Sequence, residues 1–326
     1  MRYSLVREKK KYSTAGSKAV RDTNQILHAI GYKPLPFDTI SNNWFTHNLK
    51  RLYYVIKIFF TLNEEDVCFM QWPTYSSVDE KLLYPVLRRK CRHLHLLIHD
   101  LTSLRTGKNA EYESRFLNLA EIVIAHTEAM KGLLIEWGVS KEKIKVLTSF
   151  DYLISDRDVP QRHYSKEVVF AGNLAKSGFL RELASQSLEV SFFCYGKKVD
   201  GLGGPLLYKG EFDGDYVSGI EGSWGLVWDG DSINTCSGKL GEYLRINSPH
   251  KVSLYIVSRL PIIIWRKAAL ADYVQEHDLG IVVDSLKDIP AILDGISVEQ
   301  YNAILQNLDR ERELLTTGGH LQKVLG

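Results

Sequence analysis

The sequence predicts an α/β protein built from two Rossmann-like, doubly wound domains that face each other across a cleft. Three observations lead there. Short apolar runs recur along the chain, each separated from the next by a segment of helical length, which is the rhythm of repeated βαβ units. A polar stretch, Ser155-Asp156-Arg157-Asp158-Val159-Pro160-Gln161-Arg162, interrupts that rhythm with the composition of a linker. The 326 residues exceed the usual size of one domain and divide at that stretch into 1–155 and 156–326.

In the first domain Tyr3 to Val6 reads as a strand. A glycine-containing loop follows, Ser13-Thr14-Ala15-Gly16-Ser17-Lys18, and then a helix from about Ala19 to Ile30, with Ile26, Leu27 and Ile30 on one side. Thr46 to Leu62 reads as a second helix, and Trp44, Phe45, Tyr53 and Tyr54 are expected mostly in the core, with some free to stack on a sugar. Val67 to Gln71, Leu94 to Ile98, Ile122 to Ala125 and Ile144 to Leu147 are the remaining strands. The second domain offers Val168 to Ala171, Val190 to Cys194, Leu206 to Tyr208, Trp224 to Val227, Ile262 to Trp265 and Gly280 to Val283. The runs from Trp224 and from Pro261 are apolar throughout, as in strands buried on both faces of a parallel sheet.

Composition narrows the function. With 44% hydrophobic and 25% charged residues the chain is ordinary globular material, and a formal charge of +2 excludes a strong whole-molecule field for nucleic acid. Cys68, Cys91, Cys194 and Cys236 form no CxxC or Cys/His cluster, so neither a zinc site nor a disulfide scaffold is expected. The polar N-terminus and the absence of an apolar run of ~18 residues point to a cytoplasmic setting. Basic runs at Arg7 to Lys11 and at Arg88-Arg89-Lys90 with Arg92 are either solvated faces or peripheral contacts to anionic lipid at the inner face of the membrane.

Ligands of open parallel sheets bind beyond the carboxyl ends of the strands, which makes the residues after each strand the informative ones. Between the strands at Trp224 and Ile262, Asn247-Ser248-Pro249-His250-Lys251 reads as a helix start with Ser248 as cap and Pro249 in the first position. A helix N-terminus already carries partial positive charge, and Lys251 adds a full one. Either a diphosphate supplies the missing anion, or the lysine points to water. Gly172-Asn173-Leu174-Ala175-Lys176 is half of a phosphate cradle or a plain βα turn. No GxGxxG follows a predicted strand, since Gly201-Leu202-Gly203-Gly204-Pro205 lies in a hairpin-like context, so no dinucleotide cofactor is expected. His99-Asp100 ends a strand and either accepts a proton or caps a turn. Asp229 and Asp231 could bind sugar hydroxyls, hold a metal or cap their loop; Lys251 and Lys176 offer a metal-free way to neutralise a diphosphate.

These segments carry a resemblance. Ser13 to Asp22 (STAGSKAVRD), Leu97 to Leu101 (LIHDL), Phe150 to Ile154 (FDYLI), Phe170 to Leu174 (FAGNL), Gly225 to Gly238 (GLVWDGDSINTCSG), Tyr243 to Leu254 (YLRINSPHKVSL) and Lys267 to Asp272 (KAALAD) resemble bacterial β-1,6-galactofuranosyltransferases of O-antigen assembly. More distantly they resemble the glucosyltransferases of serine-rich repeat adhesins. The resemblance implies a GT-B fold, with a UDP-sugar donor substrate in the second domain, no further cofactor, and the acceptor bound mainly by the first. It assigns donor binding to Gly172, Asn173, Leu174, Lys176, Asp229, Asn247, Lys251 and Ser253, and closure over the cleft to Thr14, Gly16 and Lys18. The expected reaction is an inverting, metal-independent transfer of galactofuranose to a sugar hydroxyl of a polysaccharide or lipid-linked acceptor. Asp100 is the expected base, with His99 and Asp231 behind it. Transfer of glucose from UDP-glucose to a protein-linked glycan, and a silent nucleotide-sugar-binding subunit, are the alternatives; self-association is open.

Overall fold

A computed structural model describes residues 1–6, 15–39, 43–106, 110–155, 158 and 161–326. The chain forms two compact units, Met1–Leu147 with Val324–Gly326, and Thr148–Lys323.

The first unit holds a six-stranded sheet of β1 (Arg2–Val6), β2 (Lys33–Pro36), β3 (Val67–Trp72), β4 (His93–Ile98), β5 (Ile122–Ala125) and β6 (Ile144–Val146). All pairs are parallel and the order is β2-β1-β3-β4-β5-β6. β2 was not expected from the sequence, because its Pro34 and Pro36 lack donors. As an edge strand it pairs with β1 alone, which is where proline is tolerated. The first helix runs Ala15–Ala29, earlier than the periodicity suggests, so Gly16 and Lys18 lie in a helix and not in a loop. Lys18 is buried and faces Asp22 one turn on at 2.8 Å, the i,i+4 geometry of a helical ion pair.

The second unit repeats the architecture with β7 (Glu167–Ala171), β8 (Ser191–Tyr195), β9 (Leu206–Gly210), β10 (Trp224–Val227), β11 (Ile262–Trp265) and β12 (Gly280–Val283), in the order β12-β11-β10-β7-β8-β9 and again all parallel. β8 and β9 therefore do not form the hairpin that the glycines at 201–204 suggested; Phe192 pairs with Leu206 in parallel register. β10 and β11 are buried along their whole length, each of Ile262, Ile263 and Ile264 contributing about 1.5–3 kcal/mol on leaving water.

The division between units falls at Leu147/Thr148, ahead of the polar stretch, because the chain is already anchored in the second unit before reaching it. Leu315 O accepts from Tyr152 N at 3.0 Å, and the Asp151 carboxylate accepts from the backbone of His320 (3.1 Å) and Leu321 (2.8 Å). Arg162, at the end of that stretch, is buried and donates to Ser258 O and Ile220 O.

Burial pushes the Asp151 carboxyl from 3.8 up to about 6, against the hydrogen bonds from Leu321 and His320. The folded chain thus holds this proton more tightly than the unfolded chain, so Asp151's contribution is fully present below pH 3.8 and is lost as pH rises through 6. Asp151→Asn removes the titration, and its stability relative to the parent should rise by about 3 kcal/mol between roughly pH 4 and pH 7. Urea midpoints of both proteins at the two pH values test this; a pH-independent difference would exclude it.

Candidate functional site

In the second sheet β7 and β10 are neighbours although β8 and β9 separate them in sequence, so the loops leaving their carboxyl ends diverge. Such a switch point is where an open parallel sheet takes a ligand. Gly172-Asn173 follows β7, and Trp228-Asp229-Gly230-Asp231 follows β10. The helix His250–Val257 approaches both strands. Its Tyr255 lies fully buried, and the hydroxyl accepts from Ala171 N (3.0 Å) and donates to Leu226 O (3.1 Å). A Cβ on Gly225 would stand 2.3 Å from the Tyr255 ring, so only glycine admits the helix at this depth. Desolvation pushes the Tyr255 phenol far above its ordinary range, so it remains a neutral hydrogen-bonding strut.

The helix begins at His250 with Pro249 as its N-cap, one residue later than the sequence suggested. The expected Ser248 cap is replaced by a tight turn in which Val252 N donates to Pro249 O at 2.9 Å. His250 stacks near Tyr152, ring centroids 4.9 Å apart. Lys251 turns to the strand ends: its Nζ donates to Asp229 Oδ1 at 2.8 Å and to Trp228 O at 3.2 Å, and sits 4.5 Å from the centre of the Phe170 ring. Its stem runs past Gly172, where a Cβ would lie 3.1 Å from Cε. The lysine therefore does not point to water. The Lys251 side chain is 15% exposed and that of Asp229 27%, so part of the balancing charge is internal.

The two aspartates separate in role. Asp229 belongs to Lys251, whereas Asp231 is exposed and lies beside two glycines: a Cβ on Gly178 would meet Oδ1 at 2.3 Å and one on Gly238 would meet Oδ2 at 2.7 Å. Gly178 caps the helix Phe179–Leu183 and Gly238 opens the helix Gly238–Tyr243, and such ends favour a carboxylate.

The other expected donor-binding residues scatter. Asn173 and Lys176 are exposed after β7, while Leu174 is buried and presents only backbone to that loop. Asn247 keeps its side-chain oxygen buried with no hydrogen-bond partner among the described residues. Ser253 departs from expectation. It is buried, its hydroxyl donates to Phe150 O at 2.6 Å and meets Ser149 Oγ at 3.0 Å, and it anchors the start of the second unit. Thr14 lies outside the described residues, and Lys18 is bound to Asp22 within its helix.

In the first unit His99 and Asp100 follow β4 as expected. Gln71 donates its amide to Asn24 Oδ1 (2.8 Å) and Val20 O (3.3 Å), which turns Oε1 to His99 Nε2 at 2.6 Å. An amide oxygen only accepts, so Nε2 carries the ring proton and Nδ1 is the basic nitrogen of the neutral ring. Asp100 is only 5% exposed. Beside it His126 is pushed down to about 4 by burial, outweighing its hydrogen bond to Ile98 O and the Asp100 charge, and stays neutral. Glu113 takes the N–H groups of Thr102 (2.8 Å) and Ser103 (3.0 Å), fixing the turn that leaves His99-Asp100. Gln71 and Glu113 escaped the sequence reading, since nothing in their spacing ties them to residue 99 or 102.

Comparison with known proteins agrees with this layout. The N-terminal domain of the glucosyltransferase 3-like family matches residues 3–149, and its C-terminal domain residues 168–326. The chain belongs to the glucosyltransferase 3-like family. It is 36% identical over 238 residues to the β-1,6-galactofuranosyltransferase WbbI of Escherichia coli (strain K12), covering 70% of this chain and 69% of that protein. Glucosyltransferase 3 of Streptococcus gordonii is 25% identical over 279 residues, 80% of this chain and 78% of its own. Among solved structures, Anabaena Alr3699/HepE in complex with UDP superposes with a TM-score of 0.61 at 15% identity, over 100% of this chain and 98% of that one. The two parallel-sheet units are those of the GT-B fold. Members of the family are glycosyltransferases, and so is this chain, which removes the silent binding subunit from the alternatives.

The β7 loop of the family member rests on one further glycine. Gly196 has φ +146°, and a Cβ there would stand 2.1 Å from Gly172 O. Gly196→Ala should therefore lower stability by about 3 kcal/mol, combining backbone strain with the collision. Gly201→Ala, at φ +82° with open space around it, should cost about 1 kcal/mol. Urea midpoints of the two variants decide; equal losses would mean that the collision is relieved elsewhere.

Proposed function

We propose that this glycosyltransferase moves galactofuranose from UDP-galactofuranose to a sugar hydroxyl of a polysaccharide or lipid-linked acceptor, with inversion and without a metal. The 36% identity to a β-1,6-galactofuranosyltransferase supports the donor and acceptor class. Lys251 carries the mechanistic reading, held by Asp229, Trp228 O and the Phe170 ring at a sheet switch point. There it would meet the charge that grows on the departing diphosphate, which is worth most at the transition state. Gly172 leaves room for backbone to approach the phosphates, and the unsatisfied oxygen of Asn247 would accept from the donor. Asp229 is occupied by Lys251, which favours neutralisation by lysine over a metal held by the aspartate pair.

The acceptor proton would pass to the His99-Asp100 pair. Of that pair His99 is the preferred base in this reading, supported by its half-burial and by Gln71, which sets its basic nitrogen, whereas Asp100 is buried. A cavity lined in part by Leu5, Met70, Gln71 and Thr74 reaches the same glutamine and is the proposed acceptor side. The S. gordonii relative keeps UDP-glucose as the second donor to assay.

Lys251→Met should lower kcat/KM by about 10²–10³-fold, and full activity would remove lysine from leaving-group stabilisation. His99→Gln should cost about 10²–10⁴-fold in kcat while UDP affinity holds within about twofold. Activity surviving that change, with Asp100→Asn inactive, would return the base to the aspartate. Product analysis with UDP-galactofuranose and UDP-glucose, with and without chelator, checks donor, anomeric outcome and metal use together.

A further inference from the structure

The helix Trp44–Thr61 is sparsely covered by the rest of the first unit. Of its 18 residues only Ile58 is fully buried. Phe45, Leu49, Leu52, Ile56 and Phe60 succeed one another at spacings of 4, 3, 4 and 4, which lays them along one face, and Tyr53 stands one turn from Leu49 beside them. All six are exposed, Phe60 at 79%, and Trp44 at the helix start is exposed to the same degree. The stripe is about 22 Å long. On a helical wheel it lies opposite Ile58, so the helix turns its apolar side away from its own domain. Trp44, Phe45 and Tyr53, expected mostly in the core, are thus exposed, and the helix is held by Ile58, by half-buried side chains such as Tyr54 beside Phe37, and by Arg51, which reaches in to Asp79 at 2.6 Å.

The charge on the helix itself is of one sign, and the acidic groups beyond its ends, Asp38, Glu64 and Glu65, each face a base already, Lys50 or Arg92. The helix WFTHNLKRLYYVIKIFFT contains no Asp or Glu. Lys50 and Lys57 are exposed along the margin next to Tyr53, Lys50 also reaching Asp38 at 3.9 Å. On the other margin Lys90 lies 4.6 Å from the centre of the Phe59 ring, at the end of the helix Ser77–Lys90, whose last turn also exposes Arg88 and Arg89. A two-fold contact between copies of this face would set lysines against a helix without a single carboxylate to receive them. Phosphate headgroups supply the missing anions, and the acyl boundary takes the aromatic and aliphatic side chains.

We propose that the exposed face of the helix Trp44–Thr61 docks the protein in the interface of an anionic phospholipid bilayer. The helix belongs to the first unit and the donor-binding residues to the second, and the inference does not depend on which sugar is transferred. The full chain should float with phosphatidylcholine vesicles containing phosphatidylglycerol and much less with phosphatidylcholine alone, and added salt should weaken the association. Leu52→Ser/Ile56→Ser/Phe60→Ser should reduce the bound fraction about tenfold or more, while circular dichroism and UDP affinity stay as in the parent. Lys50→Glu/Lys57→Glu should remove the preference for the anionic vesicles. Brominated acyl chains should quench Trp44 fluorescence, a signal absent from Trp44→Phe. Failure of the parent to float, or equal flotation of the triple variant, overturns the proposal. So does light scattering that shows an oligomer which the triple variant reduces to a monomer, with neither binding vesicles, for the face would then join copies of the chain.

Discussion

The hydroxyl of Tyr255, set between the amide of Ala171 and the carbonyl of Leu226, holds the second unit's site together. It is the point where the helix His250–Val257 is fastened to two strands that the chain reaches far apart in sequence, and it works only because Gly225 lets the ring lie on the backbone of β10. Everything of chemical interest hangs from that attachment. Lys251 leaves the same helix one turn earlier, Asp229 follows the strand that supplies Leu226, and Gly172 follows the strand that supplies Ala171. A buried phenol with both hydrogen-bonding functions satisfied is directional where hydrophobic packing is not, so it sets the helix in register as well as in depth.

From that register follows a distribution of charge. Lysine in the first turn of a helix is locally unfavourable, and the fold answers it with a carboxylate from the neighbouring loop, a carbonyl and an aromatic face. Each holds the ammonium in place without fully enclosing it. Two residues further on, Asp231 has the same chemistry as Asp229 and a different task, because its surroundings are the starts of two short helices. The first unit applies the same economy to His99, whose tautomer is set by an amide that is itself oriented by two carbonyl acceptors.

Much of this was legible beforehand, for a physical reason that can be named. Strands of a parallel sheet write their presence as short apolar runs, so eleven of the twelve strands among the described residues can be located in the sequence, and the residues after β4, β7 and β10 stand where the sheet requires them. The exception, Lys33–Pro36, is an edge strand whose two prolines are read as punctuation. Gly225 sits within an apolar run, and nothing local to it names Tyr255, thirty positions on, as the ring it admits.

The sequence by itself determined the order of elements, the fold class and the placing of Lys251 near a helix start, because periodicity and end signals are local properties of the chain. Only the tertiary structure decided which aspartate meets that lysine, that Ser253 bonds inward to Phe150, and that the aromatic face of Trp44–Thr61 looks outward. Spacing tells which residues share a face. What the face meets is set by elements distant in sequence, and no local pattern carries that information.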